Sequence, residues 1–330
     1  MAEQNIKMNV KTDTGYDTLY PQTKADIVSF NDTQSVVKGK TVQENLKNTA
    51  DALYHPNLLI NGDFQCNQRG KAEYNFNLYG TQGNSGGTVD MWRVANSSTN
   101  KLKIIPVDGG SVKYECSGGD NPSSFLYILP EFLKNGSYRI ICSLKNKTGS
   151  VILRVNNNEG TYTEYTLQEG LNIIELNQSI KSIVYRISTG NGVIEYTRLN
   201  KGTVAYPHIK EDFDSAFKKC SAYLFHHHFK KYEPIGIYKY TGEGNACYGS
   251  FNIRHMKADP TIKINGVITV YARSSGLENE FNIQPTPIKL YKEINVLHLL
   301  VPLKNMKRGD VVMIQAGSDL DVTISCEPLP

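Results

Sequence analysis

The sequence predicts a mainly β protein. It reads as an N-terminal stretch of helical and extended chain, a jelly-roll β-sandwich, and a smaller C-terminal β-sandwich. Three observations carry this. Short apolar runs recur roughly every 8 to 15 residues from position 56 onward, separated by Gly, Asn and Ser. Tyrosine is abundant, 20 residues against one tryptophan, and aromatic and β-branched side chains suit a pleated, half-buried surface. Helical periodicity is confined to short segments.

The 330 residues suggest two domains plus an extension, at about 100 to 200 residues per domain. Residues 1–55 form the extension. "TLYPQTKADIV" reads as extended up to Pro21. "TVQENLKNTADAL" reads as a helix: Thr41 and Glu44 match a capping box. Val42, Leu46, Thr49 and Leu53 follow a coiled-coil seam. Under about two heptads long, it cannot fold alone. It either packs on another element or self-associates.

Residues 56–207 read as the jelly roll. Its strands are "NLLING", "VDMWRV", "KLKIIPV", "SVKYEC", "SSFLYIL", "SYRIICSL", "SVILRVNN", "TYTEYTL", "LNIIEL", "SIVYRIS" and "GVIEYTRL". Residues 208–220 read as a helical joint, with Phe213, Ala216, Phe217, Cys220 and Leu224 on one face. Residues 221–330 return to strands: "LFHHHFKKY", "GSFNIRHM", "TIKINGVITVYAR", "NEFNIQP", "VLHLLVPL", "DVVMIQAG" and "DVTISCE".

Charge is nearly balanced, 36 Lys+Arg against 32 Asp+Glu, and the net +4 is spread thinly. Nucleic-acid binding draws on a clustered basic face, so no nucleic acid is expected as a partner. No run approaches the 18 or so apolar residues of a membrane span, so no membrane is expected either. "MAEQNIKMNV" lacks the blocks of a signal peptide, which points to synthesis in a cytoplasm. The six cysteines are widely spaced without a CxxC pair, and they read as reduced, buried thiols.

Catalytic signatures are missing. There is no GxSxG, HExxH, P-loop or strand-linked GxGxxG. "GTQGNSGG" at 80–87 has no following helix to bind phosphate and reads as a flexible loop. Carboxylates such as Asp90, Glu115, Glu131, Glu164 and Glu195 are present, but nothing pairs them for glycoside hydrolysis. The expectation is therefore a non-enzyme without a cofactor.

Two features stand out as contact chemistry. In "YLFHHHF", a strand would place His226 and His228 on one face and His227 with Phe225 and Phe229 on the other. At a three-fold axis that pair would offer about six imidazoles to a transition metal. The plainer reading is a set of surface or interface histidines, and it is favoured. Tyr238, Tyr240 and Tyr248 flank a polar glycine turn, and Tyr271 and Arg273 sit in "YARSSGLENE". Flat rings with polar neighbours on loops suit sugar binding. Ordinary tyrosine-rich hairpins would look the same. Trp92, the single tryptophan, reads as core.

"NLLINGDFQCNQRG" followed by "DMW" resembles the opening of the carbohydrate-binding-module-like domain of phage tail fibres and receptor-binding proteins. The matching residues are Asn57, Asn61 to Phe64, Asn67 to Gly70, and Asp90 to Trp92. Lys201, Gly202, Val204, Ala205, Pro207, Cys220 and Tyr223 are similar to the close of that domain, although Ser221-Ala222 replaces its usual Gln-Arg. Phe251, Met256, Pro260 and Thr261 resemble a fibre strand pair, and "YDTLYPQTKADIV" a baseplate-attachment segment. Such segments occur in contractile-tailed phages and phage-tail-like bacteriocins of Gram-positive, particularly clostridial, bacteria.

The resemblance implies a homotrimeric fibre of the virion tail. It would be bound to baseplate proteins through residues 1–55 and would recognise a host cell-wall polysaccharide or surface-layer protein. Residues 221–330 would be its candidate receptor-binding tip. The motif residues around Asn61 and Asn67 to Arg69 are expected to be structural, capping strand ends. The rival readings are a tail depolymerase and a connector that carries a separate receptor binder.

Overall fold

The computed structural model describes residues 8–12, 15–19, 57–77, 85–95, 99–119, 121–202, 204–206, 208–239, 246–252, 256–257, 261–266, 268–274, 277–283, 286–291, 296–302 and 311–327. The molecule is mainly β with antiparallel, sandwich-like sheets. Near the N-terminus, β1 (Met8–Thr12) and β2 (Gly15–Leu19) form a hairpin in which Thr12 pairs with Gly15. The helix and seam expected at 41–53 lie outside the described residues.

Twelve strands build two six-stranded sheets. They are β3 (Tyr74–Phe76), β4 (Ser85–Gly87), β5 (Trp92–Ala95), β6 (Asn100–Pro106), β7 (Val112–Gly118), β8 (Ser123–Leu133), β9 (Ser137–Lys145), β10 (Val151–Asn156), β11 (Tyr162–Thr166), β12 (Gly170–Asn177), β13 (Ile180–Ile187) and β14 (Gly190–Lys201). One sheet runs β11-β10-β13-β8-β5-β4 and the other β12-β9-β14-β7-β6-β3. Between β7 and β14 the chain changes sheet at every connection except the β10–β11 hairpin, which is jelly-roll wrapping.

Period-2 alternation explains the layers. In β10, Val151, Leu153 and Val155 are buried, while Ile152, Arg154 and Asn156 face outward. Trp92 is fully buried, as its sequence context suggests. It stacks on Phe125 at 5.0 Å and meets Phe64 at 4.9 Å and Tyr127 at 5.2 Å. Burying one such ring contributes about 3 kcal/mol.

Three expectations are corrected here. "NLLING" is not a strand: Asn57 to Asp63 run as bends and turns. The Asn57 side chain accepts from Leu59 N (3.0 Å) and Leu199 N (2.9 Å), which straps this loop along β14 in place of a ladder. Second, Ser85–Gly87 of the glycine-rich loop is β4, an edge strand paired to β5; residues 80–84 lie outside the described residues. Third, the helical joint is shorter than 208–220. Helix α1 is Phe213–Cys220, started where Asp212 accepts from Ser215 N. Ala216 and Cys220 are buried, Phe213 is 53% exposed, and Leu224 belongs to the next strand.

The remaining strands form three small antiparallel sheets. The first is β15 (Leu224–Phe229), β24 (Leu320–Ser325) and β18 (Thr261–Asn265), with β24 central. The second is β16 (Pro234–Lys239), β23 (Val311–Ala316), β19 (Ile268–Ser274) and β20 (Leu277–Ile283). The third is β17 (Ala246–Asn252), β22 (Val296–Pro302) and β21 (Thr286–Tyr291). In β24, Leu320, Val322 and Ile324 are buried, and Asp321, Thr323 and Ser325 line the opposite face. Cys66, Cys116, Cys142, Cys220 and Cys326 are free thiols, all buried except the half-buried Cys326.

Candidate functional site

The stretch 57–70 organises the site. Asn61 stands at φ 57°, a left-handed conformation that asparagine tolerates better than most residues. Its buried amide donates to Cys66 O (3.0 Å) and Asp90 O (2.9 Å), and its Oδ1 accepts from Cys66 N (2.9 Å). Its carbonyl accepts from Trp92 Nε1 at 3.1 Å. Gly62 is required by close approach: a Cβ there would stand 2.3 Å from Thr197 O. The NGDF and DMW segments are thus one hydrogen-bonded unit.

The next three residues reach outward from that unit. Asn67 donates to Lys71 O at 3.0 Å and accepts from the Tyr74 hydroxyl. Gln68 donates through N to Asp90 Oδ1 (2.9 Å), and through Nε2 to Asp90 Oδ2 (2.8 Å) and Leu224 O (2.8 Å). Arg69 donates to Thr88 O at 3.0 Å and pairs with Glu327, where both side chains are largely buried. A Cβ at Gly87 would stand 2.6 Å from the Arg69 guanidinium carbon, so the glycine makes room for the arginine. Glu327 Oε1 also accepts from Met91 N at 2.6 Å. The structural role expected of these motif residues is what their hydrogen bonds display.

Burial dominates the titration here. Asp90 is pushed up to about 6 by loss of solvent, although the Gln68 bonds and Arg69 oppose this. Burial also lowers Arg93, with Arg69 adding repulsion and Glu327 opposing it.

These contacts hold the β4–β5 edge beside the polar face of β15-β24-β18 and leave a cleft of about 490 Å³. Arg69, Lys71, Tyr74, Gly86, Gly87 and Arg93 line one wall. Thr261, Lys263, Asn265, Thr323, Ser325 and Glu327 line the other. The register explains the second wall: Lys263 pairs with Thr323, and Thr261 with Ser325, so their side chains share one face. A second hollow of about 380 Å³ includes Asp63, Lys210, Glu211 and Lys219. Within it Lys219 pairs with Glu211, and Asp63 accepts from Glu211 N (2.9 Å) and meets His208 (3.2 Å).

His226 and His228 do share a face, as expected, and Phe225, His227 and Phe229 share the other. Their Nδ1 atoms are engaged within the chain, His226 with Thr323 Oγ1 and His228 with Asp321 Oδ1, both at 2.8 Å. Burial lowers the His226 pKa, favouring the neutral ring. Among the described residues, the side chains close enough to share a metal are Cys66, Asp90 and Cys220, all buried. Both Asp90 oxygens are already taken by Gln68, so this trio reads as packing.

Of the tyrosine positions, Tyr238, Tyr248 and Tyr271 lie on strands. Tyr238 on β16 pairs with Val312 and Tyr271 on β19 with Met313, so they flank β23 at register positions of opposite parity. Arg273 pairs with Glu278, and Tyr271 with Glu280, in the β19–β20 hairpin. Tyr248 lies on β17, in another sheet, opposite Leu300. Tyr240 lies outside the described residues. The cleft was missed in the sequence. Its signals were the alternation of Thr261, Lys263 and Asn265 in "TIKIN", and Arg93 beside the buried Trp92.

No family model matches the sequence, and no curated protein matches it. Among solved structures, the apo carbohydrate-binding module BiXyn10A CBM1 is similar at 10% identity with a TM-score of 0.21. That match covers 42% of this chain and 98% of that one. The tandem CBM22 pair of Paenibacillus barcinonensis Xyn10C is similar at 10% identity with a TM-score of 0.22, covering 71% and 92%. Streptomyces albus HEPD is similar at 5% identity with a TM-score of 0.17, covering 77% and 76%. With TM-scores this low, these likenesses establish neither fold nor function for this chain.

Proposed function

We propose that this chain is a phage tail fibre or receptor-binding protein that binds a host cell-surface glycan without cleaving it. Residues 1–55 attach it to the baseplate, three copies form the fibre, and the β regions meet the host. The observation that carries the glycan part is the cleft, lined by hydroxyls, an amide, cations and Tyr74. Such a lining matches the hydroxyl-rich surface of a sugar polymer. The tail-fibre part is supported by the NGDF, NQRG and DMW segments, which carry the resemblance and form one bonded unit here. Three linked sites turn weak contacts into firm adsorption, with gains of about 10² to 10⁴.

The test is adsorption of the labelled full chain to whole Gram-positive cells of the host type, with and without purified wall polysaccharide as competitor. Saturable adsorption that the polysaccharide blocks, with its chain length unchanged afterwards, is the expected result. Absence of adsorption by folded trimer would sink the proposal and favour a connector. Shortening of the polysaccharide would replace it with a depolymerase.

A further inference from the structure

We infer that the cleft seats the acidic group of an anionic polymer, a carboxylate or a phosphodiester, on Arg93 with Lys71 and Lys263 beside it. This rests on the glycan-binding reading above and narrows it to charged glycans.

The inference comes from charge that the protein leaves unbalanced. Arg93 extends from the outward face of β5, opposite Leu126 of β8. Its Nε has no exposed surface and no hydrogen-bond partner among the described residues. A half-buried guanidinium that no described carboxylate bonds is a costly arrangement, because desolvation of a cation is repaid only by a close anion. Glu327 is the one carboxylate among the described lining residues, and both of its oxygens are occupied. Oε1 takes Met91 N, and Oε2 takes Arg69 and the Ser325 hydroxyl. Glu327 attracts Arg93 only at long range, and among the described residues no carboxylate bonds Arg93, Lys71 or Lys263.

An exposed lysine alone would carry no such meaning, since solvated surface cations are common. Arg93 differs because water does not reach its Nε. A planar guanidinium accepts a carboxylate or phosphate through two parallel bonds. Thr261 and Asn265, both exposed, line the opposite wall with polar side chains that can bond hydroxyls. A neutral sugar would satisfy those groups and leave the charge unanswered, whereas an acidic polymer answers both.

The experiment is affinity electrophoresis of the full chain through gels containing poly(glycerol phosphate), polygalacturonate or neutral dextran. Native protein is compared with Arg93→Gln and with the Arg93→Gln, Lys263→Gln double variant. Retardation by at least one acidic polymer and not by dextran is expected, with at least a tenfold loss of affinity in Arg93→Gln. The polymer that retards it distinguishes phosphodiester from carboxylate. Arg93→Gln should melt at or above the native temperature, because no described carboxylate bonds the replaced charge; a merely structural arginine would lower it. Equal retardation of native and double variant, or equal binding to dextran, would overturn the inference. So would retardation by none of the three. Adsorption to cells, measured separately, then decides whether glycan recognition itself survives.

Discussion

The Gln68 side chain donates to the Leu224 carbonyl at 2.8 Å, joining a loop of the jelly roll to the first strand of the C-terminal sheets. The adjacent Arg69 reaches Glu327, just beyond the last strand. The motif that opens the jelly roll therefore also attaches it to the β15-β24-β18 sheet, and the cleft is a consequence of that attachment.

Removing one partner of the Arg69–Glu327 pair should be severe. Glu327→Ala leaves a largely buried guanidinium unpaired and strips Met91 N of its acceptor. A loss of about 3 kcal/mol is expected in urea unfolding. Arg69→Met combined with Glu327→Leu should recover part of it, since an apolar pair carries no desolvation cost. An unchanged urea midpoint in Glu327→Ala would show that the pair does not hold the two regions together.

Asn61→Ala removes three buried side-chain hydrogen bonds and the residue best suited to a left-handed backbone. At about 1 kcal/mol per bond the cost is about 3 kcal/mol. Asn61→Asp should be nearly as damaging, because a carboxylate cannot donate to the Cys66 and Asp90 carbonyls. Chemical denaturation of both variants checks this. A tolerated aspartate would mean that the donor contacts matter little.

The legible parts of this chain were those with local, repeating cues. Alternation in "SVILRV" announced β10 with its buried Val151, Leu153 and Val155, and the pairing of His226 with His228 followed from strand period. "NLLING" misled because its buried Leu59 is held by a loop that Asn57 straps to β14, and a 140-residue separation leaves no local trace. β4 was hidden because Ser85–Gly87 has no side-chain pattern, and its glycine answers to Arg69. The cleft's two walls could not be paired from sequence, because they meet through tertiary contacts of Gln68, Arg69 and Met91 with Leu224 and Glu327. The tyrosines stood out by composition, yet Tyr238 and Tyr271 lie on two strands of one sheet and Tyr248 on a strand of another.

Asp90 predicts a pH dependence. Its folded pKa, about 6, lies above the ordinary carboxylate value, so the folded state holds a proton that the unfolded chain has released. Between about pH 4 and 6 the folded state binds more protons, and this contribution to stability falls as pH rises. Above about pH 6 the cost of a buried carboxylate is fully present. His208 and His226 are both lowered and act oppositely, favouring the folded state as pH rises. Comparison of native protein with Asp90→Asn at each pH isolates the aspartate. The native melting temperature should fall relative to the variant from pH 4 to 6, and a constant difference would refute the assignment.

Light scattering of the full chain at micromolar concentration should give the mass of three copies, and a monomer there would end the trimer proposal. His226 and His228 already have partners in their own chain, Thr323 and Asp321. Each chain can therefore satisfy this face without a bridging ion. The trimer mass should persist in EDTA, and His226→Ala with His228→Ala should leave it unchanged. A fall to monomer mass under either treatment would instead assign the histidine pair to a metal at the three-fold axis. It would also make the fibre's assembly dependent on that ion.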